Sequence, residues 1–334
     1  NGSDLNDVRV VNFGGSTSWY DQNWLYRIPV TVRSSAVDDD LTDFPVYVDL
    51  SEFPSSFFAN IQDGGDDIRV TTNDAVTEVP REVVTASTTA EIGELYFLAS
   101  STLSSTTDTT FYVYYGNTSA SPYGATDTYG REAVWANGYV LVTHMFDETT
   151  STVVNSANGS LDGTKDVPGS PSEVATGQIY EAQQHDGTTH IEFGNVGGGA
   201  SEITISAWIN GDTYSGGGDK DTYGHSIFSA TANTGNYTWL TAGGTDNGGS
   251  TDEVRFCAFS NSANCNVASG SNLAPGTWHY VSATAVDGGA ANVRVDGTNV
   301  LSFTSDGGGG WNDGSTIADL RPDRDIEFDG RIDA

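Results

Sequence analysis

The sequence predicts an all-β protein of two sandwich-type domains. Three observations predict it: short runs in which apolar and polar residues alternate, clusters of turn residues between those runs, and near absence of helical periodicity. At 334 residues the chain exceeds one small domain, and two domains is the natural division. Hydrophobic residues are 37% and aromatics 11%, enough for two cores. The 40 glycines sit partly in clusters, such as Gly216 to Gly218 and Gly307 to Gly310, which mark turns between strands rather than a collagen repeat.

Taken in order, residues 1–17 read as a polar arm with one short strand, Val8–Val11, able to pair with a neighbouring edge in this chain or another copy. Residues 18–137 form the first domain and residues 138–334 the second. In the first, Tyr26, Ile28, Val30 and Val32 point one way, while Arg27, Pro29, Thr31 and Arg33 point the other. Further strands are expected at Val46–Leu50, Ile68–Thr72, Glu94–Ala99 and Phe111–Tyr115. The single helical candidate is a short turn near Ser55–Ile61. In the second domain strands are expected at Ile203–Ile209, Val254–Phe259 and Trp278–Val286. A hairpin joins Asn292–Val295 to Val300–Phe303 through Asp296-Gly297-Thr298-Asn299.

Charge narrows the function classes. Asp and Glu number 45 against 13 Lys and Arg, a net charge of −32. The acidity is spread over both halves, and only Lys165 and Lys220 are lysines. No basic patch exists, which argues against nucleic acid as a partner. The bias resembles proteins from salt-loving organisms: such a charge keeps a chain soluble but repels itself, and molar salt screens that repulsion. The alternative is an ordinary acidic surface protein. No stretch of 18 apolar residues is present to span a membrane. No apolar signal segment is visible, and the chain reads as a mature or excised piece.

Cys257 and Cys265 are the two cysteines, in the single segment R-F-C-A-F-S-N-S-A-N-C. A local disulfide closing a hairpin loop is the first expectation and implies an oxidising compartment. Two buried free thiols are the alternative. Sequons at Asn1, Asn117, Asn158 and Asn236 permit N-glycosylation of a secreted protein.

Two resemblances then enter. Trp24-Leu25-Tyr26-Arg27-Ile28-Pro29-Val30, Leu41-Thr42-Asp43-Phe44-Pro45-Val46, Asp66-Asp67-Ile68-Arg69 and Tyr112-Val113-Tyr114-Tyr115-Gly116-Asn117 follow in an order and spacing that resemble domain-of-unknown-function family 2341. That family has no assigned catalytic residues, so nothing chemical carries over. Asp67 and Arg69 are expected on one face of a strand, pairing with a neighbour. Trp24 and Tyr115 are expected in the core rather than on a ligand platform. The second domain carries His144-Met145-Phe146-Asp147-Glu148, Asn155 to Gly163, Ile203 to Ile209, Ala274 to Val281, Val293 to Gly297 and Phe328 to Asp333. These resemble the laminin-G-like, concanavalin A-like lectin-glucanase jelly roll. Its usual pattern continues through a final strand past the Ile-Asp pair, whereas here Ala334 follows, so the last strand is expected to be missing, shortened or completed by another segment.

The second resemblance implies one Ca²⁺ where the first loop meets the last strand. Asp147, Asn155, Asn158 and Asp333 match those positions. Ca²⁺ takes six to eight oxygens at ~2.3–2.6 Å. The alternative is a solvated acidic loop. Asp323, Asp325, Glu327 and Asp329 alternate along one strand face, ~6.6 Å apart, whereas a retaining glycosidase pair sits ~5–5.5 Å apart. The glucanase order of acids is absent, so no catalytic residues are assigned and the chain is expected not to be an enzyme. His185, His190 and Glu192 lie close in sequence but lack a metal-binding spacing, and His279 reads as structural. No nucleophile elbow and no phosphate loop occur. Sugar sites pair an aromatic platform with Asp, Asn and backbone groups. Tyr214, Tyr223, Tyr237 and above all Trp311, set in G-G-G-G-W-N-D-G, are the candidates, with burial the alternative for Trp239.

These features lead to an extracellular recognition or adhesion protein. It is expected to bind glycans or glycoproteins at a cell surface, or as part of a viral or appendage fibre. A second expectation is a structural subunit of a filament or virion, in contact with copies of itself. A third, a carbohydrate-active hydrolase, rests on the alternating acids alone.

Overall fold

The computed structural model describes residues 18–174, 176–195, 199–214, 224–231, 237–244, 253–260, 265–268, 271–305, 315–317 and 328–333. The expected arm, with its strand Val8–Val11 and the sequon at Asn1, lies outside them. The chain divides into two compact units, Asn1–Tyr139 and Val140–Ala334. Both are all-β among the described residues, apart from single helical turns.

In the first unit the strands are β1 (Tyr26–Val32), β2 (Phe44–Asp49), β3 (Arg69–Thr71), β4 (Glu78–Val79), β5 (Arg81–Ser87), β6 (Ile92–Ala99) and β7 (Thr109–Tyr115). They form a four-stranded sheet, β1-β7-β3-β4, and a three-stranded sheet, β2-β6-β5. Alternation in β1 puts Ile28 in the core and leaves Pro29 and Thr31 exposed. The core holds Leu50, Phe57, Phe58, Ile68, Val70, Leu95, Phe97, Phe111 and Val113. Helix α1 (Ser55–Phe58) falls where the sequence placed a helical turn and buries Phe57 and Phe58. A second turn, α2 (Arg131–Val134), was not anticipated, because four residues carry no periodic signal.

The second unit contributes β8 (Asp147–Thr149), β9 (Thr152–Val153), β10 (Gly163–Lys165), β11 (Ser172–Val174), β12 (Ala182–Asp186), β13 (Ile191–Phe193), β14 (Glu202–Gly211) and β15 (His225–Thr231). It continues through β16 (Tyr237–Ala242), β17 (Val254–Ser260), β18 (Asn266–Ala268), β19 (His279–Val286), β20 (Ala290–Val295), β21 (Thr298–Thr304), β22 (Ser315–Ile317) and β23 (Asp329–Asp333). Among the described residues nine strands, β18-β17-β16-β15-β22-β13-β10-β9-β8, make one sheet. Seven, β11-β12-β23-β14-β19-β20-β21, make the other. They sandwich one core, with Phe193, Phe228, Leu240, Phe256 and Phe328 meeting Ile209, Val281, Val293 and Ile332. This is the jelly-roll sandwich class expected from the sequence.

Two details refine the expectation. The β20–β21 hairpin turns on two residues, with Val295 opposite Thr298 and Asp296 and Gly297 both at positive φ, the geometry that suits strand twist. The closing segment Asp329–Asp333 is a strand in the sheet interior. β23 pairs with β12 from Gln183–Ile332 to Asp186–Asp329 and with β14 from Trp208–Asp333 to Gly211–Gly330. Gly330 has φ +137, and a Cβ there would strike the Asn210 carbonyl, so the crossing with β14 requires glycine.

Candidate functional site

In the first unit the residues carrying the resemblance gather around Asp67, which is fully buried. Its Oδ2 accepts from Gly116 N at 2.7 Å and Asn117 N at 3.1 Å, and its Oδ1 from Gln62 N at 2.9 Å. Trp24 Nε1 donates to the Asp67 carbonyl. Asp67 therefore precedes β3 and ties loops together, instead of pairing across strands with Arg69 on one face. Arg69 stacks under Trp24 and Tyr123 and faces Glu78 at 3.6 Å. Glu78 also accepts from Tyr20 and Tyr123, and burial, reinforced by this carboxylate, holds both phenols above their ordinary range. Tyr115 is buried in the core and Trp24 is half-buried, so neither forms a free platform. These contacts hold the loops of the first unit together. The Asn117 side chain accepts from Ser119 N within its own sequon.

In the second unit the outer face of the seven-stranded sheet is unusual. Along β14 the residues pointing away from the core are Thr204, Ser206, Trp208 and Asn210, since Ile203, Ala207 and Ile209 are buried in it. Trp208 lies opposite Tyr280 of β19, ring centroids 5.3 Å apart. Tyr280 is 36% exposed. One row along, Arg331 of β23 lies opposite Asn210 and Gln184. Its guanidinium sits over the Trp278 ring at 5.6 Å and donates to Thr176 Oγ1. Gln184 donates to Asp212. Asn210 is buried, and its Oδ1 has no hydrogen-bond partner among the described residues. Three aromatics, a guanidinium and amide or carboxylate groups thus share one sheet face.

The expected ligand residues fare differently. Tyr214 is 1% exposed, packs on Gly211 and His225, and its hydroxyl accepts from Gly211 N. It is a core residue and presents no face to a sugar, because an aromatic beside glycine fills the space the missing Cβ leaves. Trp311 and Tyr223 lie outside the described residues, as does the Tyr237 side chain. The sequon at Asn236, the acids Asp323, Asp325 and Glu327, and the Asp329 side chain also lie outside. Trp239 is buried against a disulfide joining Cys257 and Cys265.

Among the described residues the histidines sit in separate settings. His185 is fully buried beside Phe328, and burial pushes its pKa down to about 4. His190 faces Asp166, and Glu192 is an exposed residue of β13. His279 accepts from Ala274 N and contacts Asp296 at 2.8 Å, a loop tie.

The residues expected to hold Ca²⁺ are each already engaged. Asp147 Oδ2 lies 2.7 Å from Lys165 Nζ, and its Oδ1 accepts from Gln183 Nε2 at 2.7 Å. Asn155 Oδ1 accepts from Val142 N and Ala157 N. Asn158 Oδ1 caps a helical turn through Ser160 N and Oγ. Asp333 Oδ2 accepts from Ile179 N. Among the described residues no group of three or more His, Cys, Asp or Glu is arranged to hold a metal ion. Each of the four expected ligands thus has a protein hydrogen-bond partner. Glu181 lies in the same acidic region, and burial first, then Glu173, Asp147 and Asp333, pushes its pKa up to about 7.

No family model matches the chain, and no curated protein matches it. Solved structures do. The chain is similar to domain 4 of AbnA, a GH43 extracellular arabinanase from Geobacillus stearothermophilus solved with arabinotriose, at 18% identity and TM-score 0.43 over 58% of this chain and 89% of that one. It is similar to the botulinum neurotoxin serotype G binding domain at 11% identity and TM-score 0.39, covering 58% and 46%. Domains LG4-5 of the mouse laminin alpha1 chain match at 14% identity and TM-score 0.31, covering 42% and 37%. The chain thus spans less than half of the toxin and laminin structures. Each of these is a distant likeness in fold.

Proposed function

We propose that the protein is an extracellular recognition module that binds glycans or glycoproteins through the outer face of the second unit's seven-stranded sheet. The observation carrying this reading is the juxtaposition of Trp208, Tyr280, Trp278 and Arg331 there. Outward positions of a sandwich strand are ordinarily polar, and β14 keeps to that rule at Thr204 and Ser206 before breaking it at Trp208. Aromatic faces flanked by hydrogen-bonding groups suit the apolar faces and hydroxyls of sugar rings. The net charge of −32 disfavours polyanionic partners, so neutral glycans are the favoured class. The Cys257–Cys265 disulfide supports an oxidising location. The reading is one of binding rather than hydrolysis.

A glycan array in high salt tests it, with wild type beside Trp208→Ala and Tyr280→Ala. Wild type is expected to retain a defined set of neutral glycans. Each variant should keep its fold by circular dichroism and lose affinity about tenfold, equivalent to about 1.4 kcal/mol. Silence of the wild type on every glycan and glycoprotein, or unchanged binding in both variants, sinks the proposal.

A further inference from the structure

At the rim where β8, β10, β11 and β12 meet, a buried lysine is surrounded by carboxylate and amide groups. This is Lys165, one of two lysines in the chain, whose side chain is completely buried. The ammonium donates to Asp147 Oδ2 at 2.7 Å and to the Pro171 carbonyl at 2.5 Å. Gln183 donates to the other Asp147 oxygen and to the Met145 carbonyl, while Glu173 accepts from Asp147 N. Gln183 is fully buried, and its Oε1 has no hydrogen-bond partner among the described residues.

A buried lysine in a chain that has almost none is a placed charge. Burying an ammonium is costly unless a carboxylate and further acceptors surround it, and all of those are here. The ammonium takes one Asp147 oxygen and the Gln183 amide takes the other, so both are engaged by the protein itself. We infer that the Lys165 ammonium is the resident cation of this rim, standing where the resemblance places Ca²⁺, so that the second unit folds without a divalent metal. The inference concerns stability and is independent of glycan binding.

Thermal unfolding of the full chain tests it at fixed salt, in excess chelator and in millimolar Ca²⁺. The wild-type Tm is expected to be the same in both. A rise of about 5 °C or more in Ca²⁺, the size expected for saturation of a folded-state site in a unit of this length, overturns the inference. Lys165→Met, which keeps the stem and removes the charge, is expected to lower Tm by about 10 °C because the partly buried Asp147 carboxylate loses its counter-charge and keeps only the Gln183 amide. An unchanged Tm in K165M also overturns it. If K165M does not fold, the double variant D147N/K165M, which removes the orphaned charge as well, is expected to fold, and the wild-type comparison decides by itself.

Discussion

Asp67 and Gly116, 49 residues apart in sequence, are joined by a 2.7 Å hydrogen bond from the Gly116 amide to the buried Asp67 carboxylate. The same carboxylate takes the Asn117 and Gln62 amides. Asp67→Ala would leave these backbone donors without a partner in a site water reaches poorly, at about 1–3 kcal/mol for each buried one. The expected outcome is a first unit destabilised by about 3 kcal/mol or more, measured by urea unfolding. Asp67→Asn keeps one acceptor oxygen and should fall between the two. A D67A protein as stable as wild type would show that Asp67 does not organise these loops.

That relationship also marks what sequence could and could not disclose. β1 and β14 were legible because one face of each is buried, which forces alternation: Ile28 and Val30 in one, Ile203, Ala207 and Ile209 in the other. Asp67 was noticed, but its role depends on amides that only folding brings near, so it read as a strand residue. Tyr214 misled for a similar reason. A tyrosine in a glycine-rich stretch looks like a loop platform, yet the adjacent Gly211 makes room for its ring in the core. The aromatic face did leave a signal. In Ile203 to Asn210 the polar phase of the alternation runs Thr, Ser, Trp, Asn, and the tryptophan stands out of phase with its hydrophobicity. Lys165 left none, since a lone lysine ordinarily means a solvated side chain.

Glu181 gives the second unit a pH dependence. Burial, reinforced by Glu173, Asp147 and Asp333, raises its folded pKa to about 7 from an ordinary 4.5. The folded state therefore holds a proton that the unfolded chain releases between these values. The resulting stabilisation is fully present below about 4.5 and is lost as pH rises through about 7. Wild type should unfold at lower denaturant at pH 8 than Glu181→Gln, with the gap closing by pH 5. Parallel profiles for the two proteins across that window would refute the assignment.

The disulfide closes the hairpin between β17 and β18 and packs on Trp239, which lies opposite Cys257 in the sheet. A loop of this length contributes about 2.5 kcal/mol by chain entropy. Replacing both cysteines with serine should cost about that much in chemical unfolding. Trp239 emission should rise when the neighbouring disulfide, a quencher of indole, is removed. An equally stable variant with unchanged emission would mean that the bridge neither closes the loop nor touches the indole.

Finally, the acidity itself is testable as a salt requirement. With 45 acidic and 13 basic residues, the folded chain concentrates a charge of −32 into a compact surface. The unfolded chain spreads the same charge over a larger volume, so self-repulsion acts against folding. The Debye length falls from about 10 Å at 0.1 M salt to about 3 Å at 1 M. Tm should climb steeply over that range, by about the same amount in NaCl and KCl, because screening depends on ionic strength rather than on ion identity. A chain adapted to high salt is expected to continue gaining above 1 M, where screening is nearly complete and salting-out of apolar surface takes over. If Tm were flat from low to molar salt, the carboxylates would be far enough apart to ignore one another, and the acidic bias would need a reason other than adaptation to salt.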